Sequence, residues 1–313
     1  MRIGLFISSG KHESLDSIID RFVSAEKLGF DTAWAGHTFD WDALTLLALA
    51  GRSTHRIELG SWVVPSFPRH PTALAQQALT AQSACGGRLL LGLGASHAAV
   101  IQKRMGIDYS RPLRHMKEYL SVLPTLLAGE RTDYRGEEFR IAAQLEPNGA
   151  AAPPIILAAL GPRMLELAGA RADGVALWLG GPRFVAEFAL PHLDSGRESA
   201  DRERPRIIVG LPVAVSVDRS ARDAAEKFLG PSSKLPAYQR VLEREGVKSP
   251  AEVALIGDES TVLGRLEELA ELGVSDFNAI LFPVSADPET IQRTREVLGA
   301  FARERTHSEK DAG

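Results

Sequence analysis

Residues 57–94 leave this chain few folds to choose from: IELGSWVVPSFPRHPTALAQQALTAQSACGGRLLLGLG. Two near-continuous apolar runs flank one helix-forming stretch, with a proline-rich turn before it and Gly86-Gly87 after it. A strand buried on one face alternates apolar and polar, whereas one buried on both faces reads as an unbroken apolar run, as in a parallel βαβ unit. Both runs carry glycine near their ends, at Gly60 and at Gly92 and Gly94. Glycine in a strand often marks close approach of a ligand or of another backbone.

The same alternation fills the chain. Arg2 to Ile7 predicts a strand, and Ser14 a cap for a helix with apolar residues at Leu15, Ile18, Ile19, Phe22, Val23 and Leu28, closed by Gly29. A short strand, Thr32 to Ala35, leads into the loop GHTFDWD and a helix from Ala43 to Gly51. After residues 57–94 come a helix from Arg111 to Leu127, a hairpin from Asp133 to Gln144 and the strand IILAAL. Then follow a helix from Arg163 to Arg171, the strand VALWL, and a helix from Pro182 to Leu193. The polar run Asp194 to Arg206 reads as a surface connection to a strand from Arg206 to Val217. A helix from Ala221 to Leu229, a helical insertion at about 231–257, and an amphipathic helix from Thr261 to Leu272 come next. Phe277 to Val284 is the last strand and Pro288 to Arg303 the last helix, leaving a polar, frayed tail over 304–313.

Eight strand–helix pairs without a linker predict one α/β domain over residues 1–303, a (β/α)8 TIM barrel with insertions. A doubly wound open sheet is the alternative, weakened because no GxGxxG opens the first helix. The net charge of -4 gives no reason to expect a nucleic-acid partner. No run reaches the roughly 18 apolar residues of a membrane helix, and the start RIGLFIS has no signal-peptide pattern, so a cytoplasmic chain is expected. Cys85 is the single cysteine, reads as structural, and fits a reducing compartment. No cluster of His, Cys or carboxylates has metal spacing, and no metal is expected. GASH is not a GxSxG elbow, which argues against a hydrolase built on Ser96.

In a TIM barrel the chemistry lies at the C-terminal ends of the strands. The loops selected by that rule, TAWAGHTFDW, LGSWVVPSFPRHP with GGRLLLGLG, RPLRHMKEYL, AALGPRMLELAGARADGV and the closing AILF, together resemble the luciferase-like monooxygenase superfamily, closest to its branch of coenzyme F420-dependent oxidoreductases. The resemblance covers nearly the whole chain and implies hydride transfer between a deazaflavin and a small organic substrate. An FMN-dependent two-component monooxygenase is the alternative on the same fold, and a non-catalytic flavin-binding barrel a third.

The resemblance further implies roles for particular residues. His37 and Trp41, four apart past the second strand, match a histidine and tryptophan beside the cofactor ring; the plainer reading is a surface histidine and a core tryptophan. A histidine there can act as acid, base or hydrogen-bond donor, and a tryptophan can wall the pocket. His97 stands where some relatives carry a proton-donating glutamate; otherwise it caps a helix or contacts substrate. Trp62-Val63 matches a non-proline cis peptide whose bulge props the ring, although relatives mostly have a small residue where Trp62 stands. Gly60, Trp62, Val63 and Val64 would lie beneath the ring and Gly94 beside it. Gly161, Pro162 and Arg163, with Gly180 and Gly181, would hold the cofactor phosphate at helix N-termini, Arg183 adding charge, unless these are simple turns. His70 reads as a cap, and His55, His115 and His192 as structural or exposed. The insertion segment Leu235 to Gly246, with Tyr238, would cover the pocket or pack on a partner. The small-residue helices Ala43–Ala50 and Ala73–Ala84 serve barrel packing or a dimer face, and a homodimer is the expected assembly.

Overall fold

The computed structural model of the chain describes residues 1–10 and 12–311, leaving aside the side chains of 231–232 and 306–311. Eight strands form its centre: β1 (Arg2–Ile7), β2 (Thr32–Gly36), β3 (Glu58–Trp62), β4 (Leu89–Gly94), β5 (Ile155–Ala158), β6 (Gly174–Trp178), β7 (Arg206–Val215) and β8 (Asp276–Leu281). Each pairs in parallel with the next, and β8 pairs with both β7 and β1, so the sheet closes on itself. The closed parallel barrel, wrapped by helices, is the expected (β/α)8 fold, and the open-sheet alternative falls. Closure leaves no strand edge unpaired around the ring.

The helices form where local signals place them. Ser14 caps Leu15–Leu28 by accepting a bond from the Ser17 N–H, and Gly29 ends it at φ 98°. His70 caps Pro71–Ala84, its ring nitrogen accepting from the Thr72 N–H. A large core of Ile, Leu, Val and Phe lies between strands and helices, for example Ile3, Leu5, Phe22, Leu44, Leu59 and Leu91.

Strand alternation sends the other residues into the barrel. At its N-terminal end Arg2, Glu58, Arg206 and Asp276 pair, with Arg2–Glu58 at 2.7 Å and Arg206–Glu58 at 3.1 Å. Above them Trp34, Leu90, Ile156, Ala176 and Ile208 fill the middle, with Phe6, Trp62, Val63 and Ala158 packed against them. Glycines make room for the two large rings: a Cβ on Gly60 would lie 2.2 Å from the Trp34 ring, and one on Gly210 would lie 2.7 Å from that of Trp62.

Between β3 and β4 the register slips. Gly60 pairs with Leu90 while Val64 pairs with Leu93, so one extra residue bulges from the β3 side. The Trp62–Val63 peptide in that bulge is cis.

Three expectations need correction. The helix beginning at Pro182 runs on to Ser199, so Asp194–Ser199 is helical and not a surface connection. It contains a π-helical stretch, Val185–Ala189, just before Pro191, whose missing N–H disturbs the regular ladder. The insertion is helical at Pro236–Glu245 and Pro250–Val253 but ends in a strand, Leu255–Gly257, which extends the sheet beside Val213–Val215. The last helix spans Thr290–Asp311, so 304–311 is helix and not a frayed tail; 312–313 lie outside the described residues.

Candidate active site

His37 follows β2 directly. Its Nδ1 accepts the Ala43 N–H at 3.2 Å, at the start of the helix Ala43–Ser53. Its Nε2 lies 3.5 Å from Nη2 of Arg69. Arg69 has only donors, and a neutral imidazole has one N–H, so the two contacts cannot both be hydrogen bonds. The shorter, to the backbone, puts the proton on Nε2. Burial, then the Arg69 charge, lower the His37 pKa against the opposing pull of Asp42 and Asp40. At neutral pH His37 is thus an uncharged ring with a fixed N–H donor, not a base.

A polar frame sequence reasoning missed holds this ring. Arg69 binds Asp42 at 2.6 Å, and Gln77 donates to the same carboxylate at 3.0 Å. Burial pushes the Asp42 carboxyl up, but bonds from Thr45 and the Arg69 charge outweigh it and leave it below its ordinary value. The Tyr119 hydroxyl donates to the Arg69 carbonyl at 3.0 Å. The only sequence signal was position: Arg69 and Asp42 fall in two strand-end loops. Trp41, expected as a pocket wall, is 40% exposed. In the same loop Phe39 lies under the Arg104 guanidinium, 3.7 Å from the ring centre, which ties the His37 loop to that following β4.

His97 sits in that second loop, at the N-cap position of Ala98–Ile101, with no side-chain capping bond. Its Nε2 meets the Tyr238 hydroxyl at 3.0 Å, and burial lowers its pKa. Tyr238 comes from the insertion and lies 6.3 Å, centroid to centroid, from Trp178 at the end of β6. Trp178 in turn lies 6.3 Å from Phe6. The mouth is therefore lined by aromatic rings from β1, β3, β6 and the insertion.

Gly60 has no opening beneath a cofactor, because Trp34 occupies the space a side chain would take. Trp62 points inward, edge-on to Trp34 at 5.3 Å, and reaches Gly210 across the barrel. A bulky residue is tolerated at Trp62 because β7 supplies that glycine. Gly94 packs against Val63 and Ala158, with a Cβ on it meeting both within 3.1 Å, and Val64 is fully buried.

The two expected phosphate loops differ. Gly161 opens the ten-residue helix Pro162–Arg171 without a side-chain cap, and a Cβ placed on it would meet nothing within 4 Å. Arg163 beside it is exposed and in no ion pair among the described residues. This open, uncapped terminus fits a phosphate. Gly180-Gly181 does not: the Glu245 carboxylate accepts the Arg183 N–H at 3.3 Å and the Phe184 N–H at 2.7 Å, and a Cβ on Gly181 would collide with it. Arg183 itself pairs with Glu187 at 2.9 Å. An anion of the chain already stands where the phosphate was expected.

His55, His115 and His192 are structural or exposed, as expected. His115 is buried, stacked on Phe67 at 3.9 Å and bonded to Ser66 at 3.0 Å. His192 bonds the Phe188 carbonyl, and His55 is exposed. Among the described residues no group of three or more His, Cys, Asp or Glu is placed to hold a metal ion. No helix among them is long and apolar enough to cross a membrane. A surface groove of about 440 Å³, lined by Arg52, Gln76, Thr80 and Glu146 among others, lies on the outer helices, away from these groups.

A parallel eight-stranded barrel with polar groups gathered at its strand C-termini defines an enzyme-type scaffold that hosts many chemistries. The family model for luciferase-like monooxygenases matches residues 1–276, and the chain belongs to that family. It is 31% identical over 236 residues to a 5,10-methylenetetrahydromethanopterin reductase of Methanolobus tindarius, covering 74% of this chain and 72% of the relative. Its fold resembles the coenzyme F420 dependent tetrahydromethanopterin reductase of Methanopyrus kandleri, with a TM-score of 0.80 at 22% identity over 95% of this chain and 97% of that one. It also resembles a type II Baeyer–Villiger monooxygenase of Pseudomonas putida in complex with FMN, with a TM-score of 0.75 at 18% identity over 96% and 97%.

Proposed function

We propose that this chain is an oxidoreductase that transfers a hydride between coenzyme F420 and a small organic substrate. The observation that carries the reading is the state of His37, neutral, with its N–H fixed on Nε2 at the strand end. When hydride adds to a carbonyl carbon, charge develops on the oxygen, and a fixed donor stabilises it without reorganising. The deazaflavin, when bound, supplies or accepts the hydride. The Gly161 terminus with Arg163 would hold its phosphate, and Trp62 and Val63, both partly exposed, would line the ring side of the mouth. The likeness to a putative coenzyme F420-dependent oxidoreductase of Mycobacterium tuberculosis, 30% identical over 299 residues, supports F420 over FMN.

Fluorescence titration with oxidised F420 and with FMN tests the cofactor: micromolar binding of F420 alone is expected, and binding of FMN alone overturns the reading. For the site, His37→Gln is expected to leave F420 binding within a few-fold and to slow oxidation of reduced F420 by a carbonyl panel about 10²-fold. Unchanged rates would remove His37 from the site.

We place the chain in the cytoplasm, as the single, buried Cys85 fits a reducing compartment. We also propose a homodimer through the outer faces of Ala43–Ser53 and Pro71–Ala84. The two helices already pack on each other, with Gly51 against Cys85. Light scattering on the eluted protein is expected to give twice the 33.8 kDa chain mass.

A further inference from the structure

The insertion helix Pro236–Glu245 touches the barrel at both ends. At its C-terminal end Glu245 accepts the Arg183 and Phe184 N–H groups. Near its start Tyr238 meets His97, hydroxyl to Nε2 at 3.0 Å, with the rings edge to face at 4.9 Å. The two residues are 141 positions apart, so their bond exists only with the insertion seated on the mouth. Burial keeps both groups neutral at pH 7: it lowers the His97 pKa and raises that of Tyr238 to about 12.

The direction of the bond follows from what each proton could otherwise reach. If Nε2–H donated to the phenol oxygen, the phenol hydrogen would find no acceptor among the described residues. An unmet donor inside a protein costs more than an unfilled lone pair. With Tyr238 donating to Nε2 the phenol proton is met, and the imidazole proton is left on Nδ1, which is not among the buried atoms without a partner and so stays open to water or substrate. No partner for Nδ1 is found among the described residues, and His97 makes no capping bond. Next to the pair, the Trp178 Nε1–H is buried without a partner among the described residues.

We infer that Tyr238 is a positioning residue that holds His97 as its Nδ1–H tautomer, making His97 a second fixed donor toward the substrate oxygen and the insertion a part of the active site. The donor's role toward substrate rests on the hydride-transfer reading above; the tautomer does not.

Long-range ¹H–¹⁵N correlation of the labelled full chain, with His97 assigned from His97→Gln, tests this. The wild-type chain is expected to show the Nδ1–H pattern. In Tyr238→Phe it is expected to shift toward Nε2–H, with the His97 pKa rising because the bond to the neutral ring is gone. Glu245→Ala, which frees the far end of the helix, is expected to move the same signal the same way, and it serves if Tyr238→Phe does not fold. An Nε2–H wild type, a pattern unchanged in folded Tyr238→Phe, or a pattern unchanged in a Glu245→Ala chain whose helix proteolysis shows to be released, overturns the inference. F420 titration of the same samples separates the two readings. Failure of the wild type to bind removes the donor's role in hydride transfer, whereas binding with an unchanged tautomer in Tyr238→Phe removes the inference alone.

Discussion

His115 shows how one residue couples packing to pH. Burial among Phe67, Tyr119 and Phe139 pushes its pKa from the model-peptide value of 6.5 to about 4. The unfolded chain therefore binds a proton at this residue below about pH 6.5, while the folded chain stays unprotonated until about pH 4. Stability is full above 6.5 and is lost as pH falls through that window. The full loss is roughly 3 kcal/mol at the usual conversion of pKa to free energy. His115→Phe keeps an aromatic ring in the stack and removes the titration. Urea unfolding between pH 5 and 6.5, above most carboxylate titration, is expected to flatten in the variant; an equal slope would deny the role. Gly60 carries a second prediction. Gly60→Ala forces a methyl into the Trp34 ring and is expected to cost about 1–3 kcal/mol, since a well-packed interior yields little. Urea unfolding of Gly60→Ala reads that cost directly, and a variant as stable as wild type would show that the barrel interior can relax.

At the scale of elements, the strands and helices were legible because each is specified by residues within a few turns of itself. Apolar runs mark the strands, Ser14 and Gly29 bound one helix, and His70 with Pro71 start another. What was illegible joins distant residues. Glu245 caps a backbone 61 and 62 positions away, and the run LEREG around it reads as an ordinary charged helix end. The glycines at 180 and 181 looked like a phosphate loop because a phosphate and a carboxylate require the same open backbone. Gly60 looked like a ligand contact because an indole and a ligand vacate the same Cβ. His37 and His97 fall in strand-end loops that the chain order already marks, but their protonation states depend on Ala43, Arg69 and Tyr238, which no local pattern connects to them. The Glu245 contact also predicts how the insertion behaves. Glu245→Ala removes both bonds that seat the end of Pro236–Glu245. Limited proteolysis is expected to cut the variant several-fold faster than wild type between residues 233 and 250, with the barrel fragments surviving. Equal rates would mean the insertion is held by its apolar contacts, Val241 and Leu242 among them, alone.

The whole molecule depends on a ring that closes. A parallel barrel has no weak edge once β8 has paired with β1, but closure brings the inward side chains of eight strands together, and all must fit. The C-terminal half solves this with complementary sizes, indoles against glycines. The N-terminal half solves it with charge, Arg2 and Arg206 against Glu58 and Asp276. Asp276 is fully buried, on β8, and Arg206 comes from the neighbouring β7, its Nε and Nη2 each donating to one oxygen of that carboxylate. Glu58 on β3 receives both arginines, so the cluster spans the barrel and touches strands on either side of the closing seam. A paired charge inside protein adds little over a hydrophobic substitute, but removing one partner leaves the other buried and unmet. Arg206→Met keeps an apolar stem about as long as the methylenes of arginine and removes the charge facing Asp276, leaving Arg2 at 3.9 Å as its nearest cation. The expected cost is about 3–5 kcal/mol in urea unfolding at pH 7. Because Asp276→Asn removes the buried charge that needs a cation, the deficit caused by Arg206→Met is expected to shrink when it is measured in that background. A deficit of the same size in the Asp276→Asn background would place the loss in the packing of the Arg206 stem and not in its charge.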